Sequence, residues 1–148
     1  MQPGLLEVEI TESSIMADAA EATRTLEYLE ALGVGSAIDD FGTGYSSLAY
    51  LKRFPLRALK IDGSFVRDVT TDPDDAAMIR AVISMAHSLG LKVIAEGVET
   101  EAQLAFLMRE QCDEVQGFLF SPAVPGHECA LLVADAQRFA SVIEAVQK

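Results

Sequence analysis

The chain is short of three things: positive charge, cysteine and histidine. Lysine and arginine number 11 against 23 acidic residues, a formal net charge of -12 over 148 residues. Duplex nucleic acid is gripped through its phosphates by clustered Lys and Arg, so this composition excludes it as a partner. The two cysteines, Cys112 and Cys129, form no C-x-x-C pair. They are read as reduced thiols of a cytosolic protein, not as a disulfide or a metal pair. His87, mid-helix, and His127, beside Gly126 in a loop, are read as structural. No apolar run reaches the roughly 18–20 residues that a membrane span takes. No basic stretch followed by an apolar one opens the chain. The expected place is the cytoplasm, either free or as the cytoplasmic part of a membrane-attached sensor protein.

Half of the residues are hydrophobic. That is enough to bury one core, and the expectation is one domain over residues 1–148. Strands are expected over residues 8–10, 36–40, 58–62, 92–96 and 114–119, and helices over 18–32, 46–53, 74–89, 101–110 and 128–146. Gly33 and Gly90 stop two of the helices, and Pro55 limits a third. Tyr28, Tyr50 and Phe54 sit at helical spacings and are assigned to the core. Strand and helix alternate throughout, which points to βαβ units and a parallel sheet. Five such units fit a small doubly wound sheet or part of a (β/α)8 barrel, which takes about 250 residues when complete.

The polar residues fall in a pattern. Side chains alternate faces along a strand, so Glu7 and Glu9 oppose Val8 and Ile10, and Lys60 and Asp62 oppose Leu59 and Ile61. Asp39, Glu96 and Gln116 lie at or near the C-terminal ends of the second, fourth and fifth strands. In parallel α/β proteins that end carries the active site. One strand-end Asp is read as a helix cap; several acids with a lysine and a glutamine in one sheet are read as a functional cluster. Buried carboxylates need cations. With no Cys or His beside them, hard oxygen ligands favour Mg²⁺ or Mn²⁺ over Zn²⁺. The adjacent Asp39 and Asp40 repel unless something positive lies between them, and such a pair can hold two metals suited to phosphoryl chemistry. The glycine loop that follows, Gly42-Thr43-Gly44, is neither a P-loop nor a dinucleotide fingerprint.

Five stretches in order, "LEVEITES" (6–13), "DDFGTGYSSL" (39–48), "LKIDGSFV" (59–66), "VIAEGVET" (93–100) and "QGFLFS" (116–121), resemble the EAL domain family. The resemblance implies a TIM-barrel-like (β/α)8 fold of which this chain holds five βα units, truncated on the N-terminal side. It implies metal-dependent hydrolysis of the bacterial second messenger cyclic di-GMP to linear pGpG, with Mg²⁺ or Mn²⁺. By position, Glu9, Asp39 and Asp40 look like metal ligands, with Asp39 bridging. Glu96 looks like the general base and Lys60 like the group that positions water or phosphate. Gln116 and Asp62 look like substrate-side residues. Glu12 and Glu99 resemble carboxylates that hold the 39–48 loop in working shape.

The pattern departs from the family in three places. The family's Glu-Ala-Leu motif and its metal-binding asparagine belong upstream and are absent; Glu30-Ala31-Leu32 ends a helix and is a decoy. Pro122 and Ala123 stand where a basic residue and then proline are usual. The chain alone is therefore expected to be impaired or inactive, with a non-catalytic cyclic di-GMP-binding or dimerisation module as the alternative. Open strand edges predict a homo-oligomer. Upstream sensor or GGDEF-type domains in a longer protein are the other expected partners.

Overall fold

The computed structural model describes residues 2–42 and 51–135, and residues 139, 140, 142, 143 and 146. Five strands carry the architecture: β1 (Glu7–Thr11), β2 (Gly35–Phe41), β3 (Ala58–Ile61), β4 (Lys92–Ala95) and β5 (Glu114–Val115). They form one parallel sheet in the order β1-β2-β3-β4-β5. The order never reverses, as in successive barrel units and unlike a doubly wound sheet with its switch point.

The strands are short, and their apolar face is closed by helices. Ile38, Leu59, Ile61, Val93 and Ala95 are all 0–1% exposed. They join Leu26 of α2 (Ala19–Ala31), Ile79 and Ile83 of α4 (Pro73–Ser88), and Leu104 and Leu107 of α5 (Glu101–Arg109) in a single apolar cluster. Each such aliphatic side chain contributes about 1.5–3 kcal/mol over its exposed state. In α4 the buried residues Ala76, Ile79, Ile83 and Ala86 recur at helical spacing. Asp72 caps its start by accepting from Asp74 N–H at 2.8 Å, and Gly90, with φ +75°, ends it.

Several expected elements changed. Two short helices, α1 (Glu12–Ala17) and α3 (Gly63–Arg67), follow β1 and β3 directly. Each is started by a side-chain cap: Thr11 accepts from Ser14 N–H and Asp62 from Ser64 N–H. The strand expected over 114–119 stops at Val115, because the chain beyond it turns to pack under Val98. The helix expected over 128–146 is interrupted: α6 (Gly126–Ala134), with no buried residue, closes at Asp135 (ψ 62°), and the described residues 139, 140, 142, 143 and 146 are again helical. Most of the helix expected over 46–53, with Tyr50, lies outside the described residues. Phe54 is core at 6% exposure, but Tyr28 is 66% exposed. Tyr28 lies two residues from the buried Leu26, about 200° round the helix.

His87 joins two elements through Asp113, and Cys112 is a free thiol. His87 Nε2 lies 2.8 Å from Asp113 Oδ2, which also accepts from Val93 N–H at 2.8 Å and so ties α4 to β4. Burial pushes the Asp113 carboxyl up, but the His87 and Val93 hydrogen bonds outweigh it and hold it below its ordinary 3.8. A depressed carboxyl stabilises the fold above its unfolded value and loses that contribution as pH falls through the folded one. The wild-type chain should therefore exceed Asp113→Asn in urea midpoint at pH 7. The gap should begin to close as pH drops below about 3.8; a gap that is constant with pH would contradict this. Cys112 is a free thiol, and burial pushes it up to about 11, so it stays protonated. No described helix is long and apolar enough to cross a membrane.

Candidate functional site

The parallel register places the site. Ala37 pairs with Ala58, and Lys60 with Ile94, which pairs with Glu114. Two residues further along, Asp39, Glu96 and Gln116 therefore reach the same face and the same sheet end as Lys60. Glu9, paired with Ala37, joins them from β1.

Lys60 is the centre. It is 4% exposed, and its Nζ lies 2.6 Å from Glu96 Oε1, 2.7 Å from Glu9 Oε2 and 3.2 Å from Asp39 Oδ1. Burial alone would push the amine towards neutrality; the three carboxylates outweigh it and hold it well above its ordinary value. Lys60 is thus a fixed cation whose three protons face three acids. Glu96 Oε1 also accepts from Gln116 Nε2 at 2.6 Å.

Two adjacent residues on a regular strand point to opposite faces, yet Asp39 and Asp40 serve one site. A register shift between β2 and β3 at Ile38 to Phe41, with Asp40 at φ +54°, turns the chain so that both do. Asp39, Asp40 and Glu96 bring one carboxylate oxygen each within 4.8 Å of one another. The charge of Asp39, then burial and Asp62, raise the Asp40 carboxyl above its ordinary value. Asp62 is lowered by its hydrogen bonds with Ser64, against burial. Asp39 Oδ1 is buried and makes its ion pair with Lys60 without a well-aligned hydrogen bond.

These residues fit a divalent cation: the donors are all carboxylate oxygen, they repel one another, and one is buried without a hydrogen bond. Glu9, with its side chain 47% exposed, holds Lys60 at 2.7 Å; Glu96 brings an oxygen within 4.8 Å of those of Asp39 and Asp40.

Of the two carboxylates expected to support the 39–48 loop, Glu12 is 2% exposed. Its Oε2 accepts from Gly42 N–H at 3.1 Å, at the root of the 39–48 loop, whose residues 43–48 lie outside the described ones. Glu99 is exposed, and with Glu96, Gln116, Phe118 and Pro122 it lines a cavity of about 540 Å³ beside the cluster.

Sequence reading missed what holds these loops in place. The buried Gln103 side chain accepts from Glu99 N–H (2.8 Å) and Thr100 N–H (2.9 Å) and donates to Arg67 O (3.1 Å). It clamps the loop after β4 to α3. The available signal was the capping box Thr100-x-x-Gln103 ahead of an apolar run. Gly97, at φ +68°, lets the same loop pass Gly63, whose Cα lies 3.1 Å from where a Cβ would stand.

Consecutive parallel βα units with a lysine and carboxylates gathered at the C-terminal strand ends define a barrel-type α/β domain with an acidic site. The chain belongs to the EAL domain family, whose family model matches residues 1–123. It is 49% identical over 134 residues to the bifunctional diguanylate cyclase/cyclic di-GMP phosphodiesterase MucR of Pseudomonas aeruginosa, covering 90% of this chain and 20% of that protein. It is 53% identical over 120 residues to the cyclic di-GMP phosphodiesterase NbdA of the same organism, covering 81% and 15%. The chain thus spans a fifth or less of these curated relatives. Among solved structures, it matches the MucR phosphodiesterase in complex with c-di-GMP at TM-score 0.85 and 50% identity, over 87% of this chain and 52% of that one. It matches a manganese and cyclic di-GMP complex of Klebsiella pneumoniae BlrP1 at TM-score 0.77 and 35% identity, over 82% and 31%. The fold is the TIM-barrel-like fold of these EAL domains.

Proposed function

We propose that this chain carries the metal-binding and proton-handling part of a cyclic di-GMP phosphodiesterase site. One phosphodiester of cyclic di-GMP would be hydrolysed to give the linear dinucleotide. The observation that carries this reading is the convergence of Lys60 with Glu9, Asp39 and Glu96 beside Asp40 at one sheet end. The names of the relatives support the substrate.

Asp39, Asp40 and Glu96 would hold Mg²⁺ or Mn²⁺. The cation would supply the positive charge that an anionic phosphodiester needs in an acidic pocket. Glu96, through Oε1 as Lys60 turns from it to the phosphate, would take a proton from the attacking water as the new P–O bond forms; the P–O bond to one 3′ oxygen breaks, and that oxygen takes up a proton from solvent water while Glu96 returns its own to solvent. Lys60, kept charged by its neighbours, donates towards the phosphate. Gln116 and Asp62 lie on the substrate side, and the cavity between Glu96 and Pro122 takes part of the nucleotide.

Three clustered carboxylates are few for two cations that each prefer about six oxygen ligands. Loss of one transition-state contact typically lowers the rate about 10²–10³-fold. The chain alone should therefore turn over slowly. Among the described residues no strand pairs with the outer edges of β1 and β5 and α6 has no buried residue, which favours a second reading, a binding or dimerisation module. On either reading a homo-oligomer is expected by light scattering at micromolar concentration, and a stable monomer would contradict it.

Calorimetric titration tests the site directly. Mn²⁺ should bind the chain saturably and bind Asp39→Asn far more weakly. Equal binding by both would remove the proposed metal site.

A further inference from the structure

Gln116 reaches the cluster from a rigid frame. Its N–H donates to Ala95 O at 2.9 Å, and its carbonyl accepts from Val98 N–H at 3.0 Å. The next residue, Gly117, lies so close under Val98 that a Cβ would stand 2.1 Å from Val98 O. The side-chain amide is thus presented at a set position, 2.6 Å from Glu96 Oε1. The same oxygen takes Lys60 Nζ at 2.6 Å. Among the described residues, no donor engages Glu96 Oε2.

We infer that Gln116 is a positioning residue for the cation site: with Lys60 it holds Glu96 Oε1 and leaves Oε2 to the cation. The inference rests on the metal site proposed above. A glutamate carboxylate turns easily about its last torsion, which is broad and shallow. One donor on Oε1 leaves that rotation loosely set. Two donors, the charged Lys60 of β3 and Gln116 on a pinned backbone just after β5, fix it. The triad of Asp39, Asp40 and Glu96 then presents a constant geometry before any cation arrives. A role in contacting substrate alone would not require the amide to be spent on Glu96.

The test is the affinity of the chain for Mn²⁺ alone, without nucleotide, in wild type, Gln116→Leu and Asp39→Asn. Partners that orient a ligand typically change metal affinity 10–100-fold when removed. Gln116→Leu should therefore weaken Mn²⁺ binding about 10-fold or more, with the thermal midpoint of the metal-free chain little changed. If Gln116→Leu does not fold, Gln116→Asn serves: it keeps an amide but is one methylene too short to reach Glu96, and the same loss is expected. Mn²⁺ affinity within about twofold of wild type, with Asp39→Asn still defective, would overturn the positioning role and leave the metal site standing. Equally weak binding by wild type and Asp39→Asn would overturn both.

Discussion

Lys60→Met should destabilise the metal-free chain by about 3 kcal/mol, the low end of the loss seen when one partner of a buried ion pair is removed. The low end applies because the partners keep some water: the side chains of Glu9, Asp39 and Glu96 are 47%, 24% and 19% exposed. Methionine replaces the stem of the side chain and fills its volume, so the loss is electrostatic. Three carboxylates that shared one cation are left facing one another and Asp40. Millimolar Mn²⁺ should recover part of the loss, since a cation between the acids does some of what the ammonium did. Urea unfolding at low ionic strength with EDTA, and again with Mn²⁺, measures both effects. A loss below about 1 kcal/mol would show that Lys60 is not the charge that holds the cluster together.

Gly117→Ala should be about as severe, for a steric reason. The added methyl would stand 2.1 Å from Val98 O and 2.3 Å from Val98 N, so the backbone must part. Two hydrogen bonds go with it, Val98 N–H to Gln116 O (3.0 Å) and Leu119 N–H to Val98 O (3.0 Å). Forcing a methyl into packed structure typically costs about 1–3 kcal/mol, and each hydrogen bond adds about 1 kcal/mol. About 3 kcal/mol in total is expected. Gln116 would be drawn off Glu96, and the wall of the cavity at Phe118 and Pro122 would move. Chemical denaturation checks the first effect; the amide shift of Val98 by NMR checks the second. A fully stable Gly117→Ala with an unshifted Val98 would contradict the close approach.

How far the site was legible varies by residue, for physical reasons. Lys60, Asp39, Glu96 and Gln116 could be found from chain order alone, because alternation along a strand is local and parallel strands share one functional end. Asp39 and Asp40 were legible as a charged pair but not as a geometry. Their joint presentation depends on a register shift against β3, which no local pattern records. Glu9 and Glu96 both read as acids at a strand end. Only the three-dimensional arrangement shows that an oxygen of Glu96 comes within 4.8 Å of the aspartates while Glu9 pairs with Lys60.

The fold shows the same division. The core stripe of α4 is periodic and was visible, while the length of β5 was not. The apolar run after Val115 resembles a strand, and the close passage of Gly117 under Val98 ends it. Tyr28 was misplaced because its spacing was counted without fixing which stripe is buried; Leu26 decides that. Gln103 was passed over as one more polar residue on a helix. Its bonds to Glu99 and Thr100 are local, but its bond to Arg67 at the end of α3 exists only once the sheet has brought the two units together.

The most direct test is hydrolysis itself: cyclic di-GMP incubated with the chain in Mn²⁺ or in EDTA, with linear dinucleotide followed by chromatography, for wild type and Asp39→Asn. Slow formation of the linear product that requires Mn²⁺ and is lost in Asp39→Asn is the predicted result. Product that forms equally in EDTA, or equally in Asp39→Asn, would contradict a cation-dependent site built on these carboxylates.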